Sequence, residues 1–390
     1  MSYYLLPKTN QYIYKYIDIS TTKQSPVCHI SQSLSHYLYE LKQKLELCEN
    51  EWDIHKKYTN PYEYVHTIIP NKKKCVSRYK PLSRSYFKMI EMLNIFDIHF
   101  NETPIFSFHL AEGPGGFIEA LVNTRKNKKD TYIGITLLDN KNDNNIPGWK
   151  KSEYFLKNNP NVVIERAKDK TGNILTLDNF VYCKNKYANS MNIITADGGF
   201  DFSNDFNNQE ISITKLLFAQ ISYAIVLQKK GGCFILKMFD TFMQHSIDIL
   251  YILSSFYEKV YIIKPNTSRY ANSEKYIVCK NFIYSSQEHY YEYFYNAFKQ
   301  MVEMENDAFI SRFLKTPVSS LFSTKLEEYN GIFGQQQLEN IHHTINLIDT
   351  QNSQDKVDML IKSNIQKSTV WCSKYNVPSN FQPHVFQNST

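Results

Sequence analysis

Four short segments hold residues whose types and spacing could do chemistry. The first is His109-Leu110-Ala111-Glu112-Gly113-Pro114-Gly115-Gly116-Phe117, which follows a short apolar run and opens a helical pattern. Glycines there let the backbone approach a ligand closely, and helix N-terminal amides can hold a carboxylate. The spacing is not that of a G-x-G-x-x-G turn, so it supports a dinucleotide site only weakly. The plain alternative is a tight strand-to-helix turn. The second segment, Thr195-Ala196-Asp197-Gly198-Gly199-Phe200, places an acidic residue at the end of a strand-like run. Open α/β sheets hold ligand chemistry at that place. The third, Gly231 to Asp240, carries Lys237 inside an apolar strand. An ammonium is costly to bury there without partners, and a lysine snorkelling at the strand end is the alternative. The fourth, Lys264 to Glu274, ends on a glutamate that alone would read as a solvated charge.

The elements that must position these segments are legible in the hydrophobic pattern. Strand-like runs fall at 105–110, 132–138, 162–165, 192–196, 232–239, 260–264 and 275–280. Helical patterns lie between them, clearest at 210–228 and 242–257. Such alternation predicts an α/β layered sheet, mostly parallel. The last two runs are joined by a turn too short for a helical crossover, so that pair is expected to be antiparallel. Residues 1–80 read as an N-terminal accessory region. Its helix over 31–48 carries Leu34, Leu38, Leu41, Leu45 and Leu47. A basic segment follows, with Lys72, Lys73, Lys74, Arg78 and Lys80, either a solvated loop or a phosphate-contacting surface. Residues 284–390 read as a C-terminal helical region. A capping box at 285–288 opens an aromatic helix through 304, further helices lie at 335–347 and 357–365, and the tail after Lys374 is expected to fray.

Composition narrows the class. A chain of 390 residues suggests about two or three domains. With 42% hydrophobic and 21% charged residues it is not a disordered chain, and 12 glycines and 13 prolines exclude a collagen-like one. A net charge of +6 permits a nucleic-acid partner without demanding one. The seven cysteines are scattered, with no C-x-x-C pair and no zinc-ligand spacing around His342 and His343. They fit a reducing compartment. The first residues do not read as a signal peptide, and the longest apolar run, 218–227, is about half a membrane span. The expectation is an intracellular, cytoplasmic protein without a membrane partner, the nucleus remaining open.

Taken in order, Gly-Pro-Gly-Gly, Ala-Asp-Gly-Gly-Phe, Gly-Gly-x-Phe-x-x-Lys-x-Phe-Asp and Lys-Pro-x-x-Ser-Arg-x-x-Asn-Ser-Glu carry a resemblance. The chain resembles the FtsJ-like family of ribose 2′-O-methyltransferases, and within it the cap-specific enzymes that make cap 1 on messenger RNA. FtsJ-like proteins of large cytoplasmic DNA viruses are similar too, which would place the protein in infected-cell cytoplasm or the virion. The resemblance covers residues 81–283 and implies a Rossmann-like methyltransferase sheet there, mostly parallel with one antiparallel strand. It implies S-adenosylmethionine as cofactor and capped RNA as partner, with capping or transcription machinery as further partners. The family uses a Lys-Asp-Lys-Glu tetrad. Asp197, Lys237 and Glu274 match its last three members, and Lys88, in Ser83-Arg84-Ser85-Tyr86-Phe87-Lys88, matches the first. Cofactor contacts carry over to Ser83, Glu112, Gly113, Pro114, Gly115, Gly116, Phe117 and Asp197. Asn173 stands where an aspartate is usual, and its amide can still bond an adenine edge. Asn272 matches a position that touches RNA, while Gln209 and Glu210 resemble residues near the methylated guanine. Arg84, with Arg78 and Lys80, is a candidate phosphate contact.

The chemistry so implied is an in-line displacement from a sulfonium to a ribose hydroxyl. Lys237 as general base would need its pKa to fall from about 10.4 towards neutrality. Partial burial and the neighbouring Lys88 would favour this, with Asp197 and Glu274 orienting both ammonium groups. The four would titrate as one coupled set. The scheme requires no metal. Two other readings stay open at this point: a non-catalytic RNA-binding or assembly subunit that retained the fold, and a methyltransferase acting on ribosomal or transfer RNA.

Overall fold

The computed structural model describes residues 3–46, 48–98, 104–138, 148–199, 208–349 and 354–382; Leu47 and Phe200 lie outside them. The strands are β1 (Tyr3–Leu5), β2 (Ile17–Thr22), β3 (Phe106–Leu110), β4 (Thr131–Ile135), β5 (Val162–Glu165), β6 (Met191–Ala196), β7 (Gln228–Met238), β8 (Tyr257–Ile263), β9 (Lys275–Phe282) and β10 (Phe309–Leu314). The helices are α1 (Gln32–Glu46), α2 (Glu49–Thr59), α3 (Ser85–Ile95), α4 (Gly116–Arg125), α5 (Glu153–Asn158), α6 (Leu177–Tyr187), α7 (Gln209–Ser212), α8 (Thr214–Leu227), α9 (Gln244–Phe256), α10 (Tyr291–Glu303), α11 (Ser320–Asp349) and α12 (Gln354–Lys374).

Eight strands form one sheet in the order β1-β8-β9-β7-β6-β3-β4-β5. The pairs from β7 through β6, β3 and β4 to β5 are parallel, as the alternation of strands and helices predicts. The expected antiparallel strand is β9, which is inserted between β7 and β8. The strand order reverses between β3 and β6, so their carboxyl ends open a crevice at the switch point. Strand alternation sorts side chains onto two cores. On β7, Phe234, Leu236 and Met238 join a core with α8, α9 and α10, while Cys233 and Ile235 join the α3–α4 core. Lys237 shares the parity of Ile235, and Tyr276 of β9 lies in the same α3–α4 core. The apolar run of α8 is buried on all sides, which explains its lack of amphipathic pattern. Among the described residues, no helix is long and apolar enough to cross a membrane.

The structure adds three pairings in the two terminal regions. β1 extends the main sheet antiparallel to β8, and Leu6, Ile13, Tyr14 and Ile17 are part of its core. The C-terminal region holds the expected helices, α10, α11 and α12, and is not built of helices alone, since β10 pairs with β2 in a second, two-stranded sheet. Nor does the tail fray directly after Lys374. Tyr375 and Val377 are buried, Arg78 N donates to Pro378 O at 2.7 Å, and Asn380 N donates to Val76 O at 2.8 Å. Short-range composition carries no sign of these pairings, whose partners lie hundreds of residues away. Residues 383–390 lie outside the described residues.

Candidate active site

At the end of β3 the chain turns through Ala111 and Gly115, with φ of +52° and +105°, into α4. Steric exclusion explains the glycines. A Cβ on Gly113 would sit 2.4 Å from the carbonyl oxygen of Gly148, and one on Gly116 would sit 2.2 Å from Ser83 Oγ. Glu112 is 3% exposed, and its Oε1 accepts the Phe117 amide at 2.6 Å. The helix N-terminal amide expected to hold a ligand carboxylate is therefore capped by the chain's own carboxylate. Burial, and then the nearby Asp197, push the Glu112 carboxyl well above its usual range. Its Oε2 is buried without a hydrogen-bond partner. A donor carrying an ammonium group would satisfy that oxygen and restore the charge. Together with the close approach of Gly148 that Gly113 permits in the turn, this fits S-adenosylmethionine.

Other cofactor expectations fall less directly. Phe117 is fully buried, its ring centroid 5.9 Å from that of Tyr276, so its side chain belongs to the core. Ser83 Oγ bonds Ser85 Oγ. Asn173 Oδ1 accepts the Leu175 amide at 2.9 Å, and Leu138 N donates to Thr171 O at 2.7 Å. The segments after β4 and β5 thus run side by side. Sequence reasoning missed Trp149, whose ring would lie 3.2 Å from a Cβ on Gly115 and 2.5 Å from one on Gly134. Its indole Nε1 is buried without a partner.

The tetrad expected from the motifs is brought together as two ion pairs. Lys88 of α3 reaches Glu274, with Nζ 2.7 Å from Oε1 and 2.8 Å from Oε2. Lys237 Nζ lies 3.3 Å from Asp197 Oδ1 and donates to the Asp197 carbonyl at 2.7 Å. Tyr276 joins the pairs: its hydroxyl donates to Asp197 Oδ1 at 2.7 Å and accepts from Lys88 Nζ at 3.4 Å. Burial pushes the Lys88 ammonium below its usual range, opposed by Glu274 and Asp197. Burial alone would raise Glu274, but Lys88, Lys237 and the Ser268 hydroxyl hold it well below the usual carboxylate range. Lys264, which the sequence reading left unassigned, anchors the same corner. Its Nζ donates to Asn272 O at 2.6 Å, Asn272 Oδ1 at 2.9 Å and Glu274 O at 2.9 Å. Burial brings Lys264 down to about 7. The expected RNA contact Asn272 thus has its side-chain oxygen already engaged.

Two of the substrate candidates, Glu210 and Arg84, have partners within the chain. Glu210 does not present a free carboxylate. It is buried, and its oxygens accept the Phe242 and Met243 amides at 3.2 and 2.9 Å, capping the entry to α9. A substrate contact through these oxygens would have to displace both bonds. Gln209 accepts from Ser273 Oγ at 3.2 Å, beside Glu274. Arg84 turns inward and donates through Nη2 to Thr267 O at 3.1 Å, because it sits at the start of α3 beneath the β8–β9 loop. Arg78 donates to Ser379 O, and Lys72 and Lys74 lie over the Phe381 ring, so part of the basic segment holds the tail. Among the described residues, no cluster of three or more metal-ligating side chains is present.

Residues 81–282 match the family model described as FtsJ-like methyltransferase. The chain is 29% identical over 262 residues to the cap-specific mRNA (nucleoside-2′-O-)-methyltransferase 2 of Drosophila melanogaster, covering 64% of this chain and 37% of that protein. It is 28% identical over 253 residues to the cap-specific mRNA (nucleoside-2′-O-)-methyltransferase 1 of Trypanosoma brucei brucei, covering 63% and 65%. It is 30% identical over 282 residues to the enzyme of the latter name from Dictyostelium discoideum, covering 65% and 35%. The chain therefore spans between about a third and two thirds of these relatives' lengths.

Proposed function

This chain belongs to the FtsJ-like methyltransferase family, and on that premise we propose that it methylates the ribose 2′-oxygen of the first transcribed nucleotide of capped messenger RNA. The Rossmann-like sheet is that of an S-adenosylmethionine-dependent methyltransferase. The substrate reading is supported by relatives named for cap-specific mRNA 2′-O-methylation. The observation that carries it is the buried arrangement Lys88–Glu274 and Lys237–Asp197, joined by Tyr276 at the carboxyl end of the sheet.

When bound, S-adenosylmethionine supplies a methyl group on a positively charged sulfur. The chain's task is to hold a ribose hydroxyl in line and to take its proton. We assign that proton to Lys237 Nζ, the more exposed of the two lysines at 13% against 7% for Lys88. Asp197 orients Lys237 through both its carboxylate and its carbonyl. Lys88 stays paired with Glu274 and adds positive charge beside the reacting oxygen, where negative charge develops. Glu112 and the turn at Gly113 would hold the donor. An intracellular location and contact with capping or transcription machinery belong to the same proposal.

A methyl-transfer assay with labelled donor tests it, using capped and 5′-triphosphate RNAs, each with and without a prior 2′-O-methyl on the first nucleotide. Transfer only to the capped, unblocked RNA is expected. Transfer to both unblocked RNAs would make it a general RNA methyltransferase, and no transfer to either would remove the enzymatic reading.

A further inference from the structure

The β8–β9 loop supplies Ser268, Asn272 and Glu274 to the site, yet residues 264–274 contain no helix or strand. An irregular buried loop must have its backbone groups satisfied from elsewhere. Glu91 does this for two of the loop's amides, and a second buried carboxylate, Glu63, holds the loop through a side chain. Glu91 lies on α3, one turn beyond Lys88, and is fully buried. Its Oε1 accepts the Asn266 amide at 2.9 Å, and its Oε2 accepts the Thr267 amide at 3.3 Å and the Thr267 hydroxyl at 3.2 Å. Glu63 is also fully buried and grips Arg269 in bidentate fashion, at 3.0 Å from Nε and 2.7 Å from Nη2. Asn60 and Thr67 fix Glu63 in turn, at 2.7 and 2.8 Å.

Ser268 stands between the two gripped positions. It is fully buried, and its hydroxyl donates to Glu274 Oε1 at 2.6 Å. The same oxygen lies 2.7 Å from Lys88 Nζ. Burying two carboxylates is costly, and well-packed apolar residues often serve stability as well or better. What these carboxylates do specifically is hold Ser268 in register with Glu274.

We propose that Glu91 and Glu63 are positioning residues that act through Ser268, locking the β8–β9 loop so that the serine hydroxyl shares Glu274 with Lys88. The catalytic consequence rests on the proposed methyl transfer; the effect on Lys88 does not. Because Lys88 and Glu91 share α3, the lysine and the loop that carries its partner are held as one body. The serine's hydrogen bond draws on the carboxylate's charge and so weakens its hold on the Lys88 proton. The other charged or titratable groups facing Glu274 are Arg84 at the start of α3, Lys237 from β7, Tyr276 on β9, Arg269 from the loop itself and Lys264, which binds the Glu274 carbonyl.

The test compares Ser268→Ala, Ser268→Thr and Glu91→Gln with the parent in the full chain. The Lys88 titration is followed by NMR of 13Cε-labelled lysine, without RNA, beside kcat and KM for capped RNA across pH. In Ser268→Ala the Lys88 titration is expected to move up by about half a pH unit or more. kcat should fall about tenfold with KM within about twofold. Ser268→Thr should restore both, and Glu91→Gln should reproduce the loss. An unmoved Lys88 titration in Ser268→Ala would overturn the proposal, even if kcat fell with the folded fraction. Absence of turnover in the parent, with the Lys88 shift present, would sink the enzymatic reading and leave the positioning role standing.

Discussion

Lys237 and Tyr276 are direct partners across the antiparallel ladder of β7 and β9, and both reach Oδ1 of Asp197, at 3.3 and 2.7 Å. Asp197 follows Ala196, the partner of Leu236 in the parallel ladder between β6 and β7. Three adjacent strands therefore bring one carboxylate oxygen to an ammonium and a phenol. Sheet register sets this convergence, so it depends little on loop conformation.

Removal of Lys237 should abolish the chemistry while sparing the donor site. Lys237→Ala is expected to lower methyl transfer at least about a hundredfold, since it deletes the proposed base. Its affinity for S-adenosylhomocysteine, measured by calorimetry, should stay within about threefold of the parent. Full activity in this variant would remove Lys237 from its role.

Tyr276→Phe removes only the hydroxyl that joins the two ion pairs. It leaves Asp197 with one fewer donor and should cost about 1–2 kcal/mol of stability in chemical denaturation. A fall in kcat of about tenfold is expected, because Asp197 no longer holds Lys237 in a single orientation.

Gly113→Ala should damage the donor site. The added Cβ would meet the Gly148 carbonyl oxygen at 2.4 Å and Thr136 Cγ2 at 3.0 Å, and the Gly148 backbone cannot swing aside as a side-chain tip would. Donor affinity measured by calorimetry should drop about tenfold or more, with a stability cost of about 1–3 kcal/mol. Unchanged affinity would separate this turn from donor binding.

Glu210 should pull stability down between mildly acidic and neutral pH, against the buried neutral His66, His109 and His245, which pull it up over the same range. Burial raises its carboxyl from 4.5 to about 7 in the folded chain. Between those values the folded state keeps a proton that the unfolded state has released. The contribution is complete below about 4.5 and is lost as pH rises through 7. Glu91, also raised to about 7, acts in the same direction. Glu210→Gln cannot titrate, so its stability in urea relative to the parent should improve on going from pH 5 to pH 7; an unchanged difference would remove Glu210 from the pH dependence.

Truncation after Lys374 should lower the melting temperature by about 2–3 °C, corresponding to about 2 kcal/mol in a chain of this size. It removes the buried Tyr375 and Val377 and the bonds of Asn380 to Val76 O and Cys75 O. An unchanged melting curve would show that the docked tail adds nothing to stability.

The strands of the main sheet from β3 to β9, and the segments that end them, were legible from the sequence. Local hydrophobic pattern carries strand and helix identity, and glycine and charged residues at strand ends carry the site. Lys88, Asp197, Lys237 and Glu274 could be picked from their motifs because each lies in a distinctive short context. Tyr276 could have been found by parity, since it shares the face of Glu274 two residues earlier on the same chain segment. Glu91 and Glu63 carried no such mark. A glutamate on a helix reads as solvated until the loop it grips is in place, and the Glu63 and Arg269 bond spans 206 residues.

What the sequence determined by itself was the alternation of elements and the supply of reactive groups, because both are written in spacings of a few residues. Tertiary structure decided which groups are charged and where they point. It buried Glu210 against the start of α9, and it turned Arg84 beneath a loop. It also stitched both ends of the chain into one body, through β1 against β8, β2 against β10, and the tail against Val76. Those outcomes depend on desolvation and on pairing between distant segments, and neither is a property of any short stretch of chain.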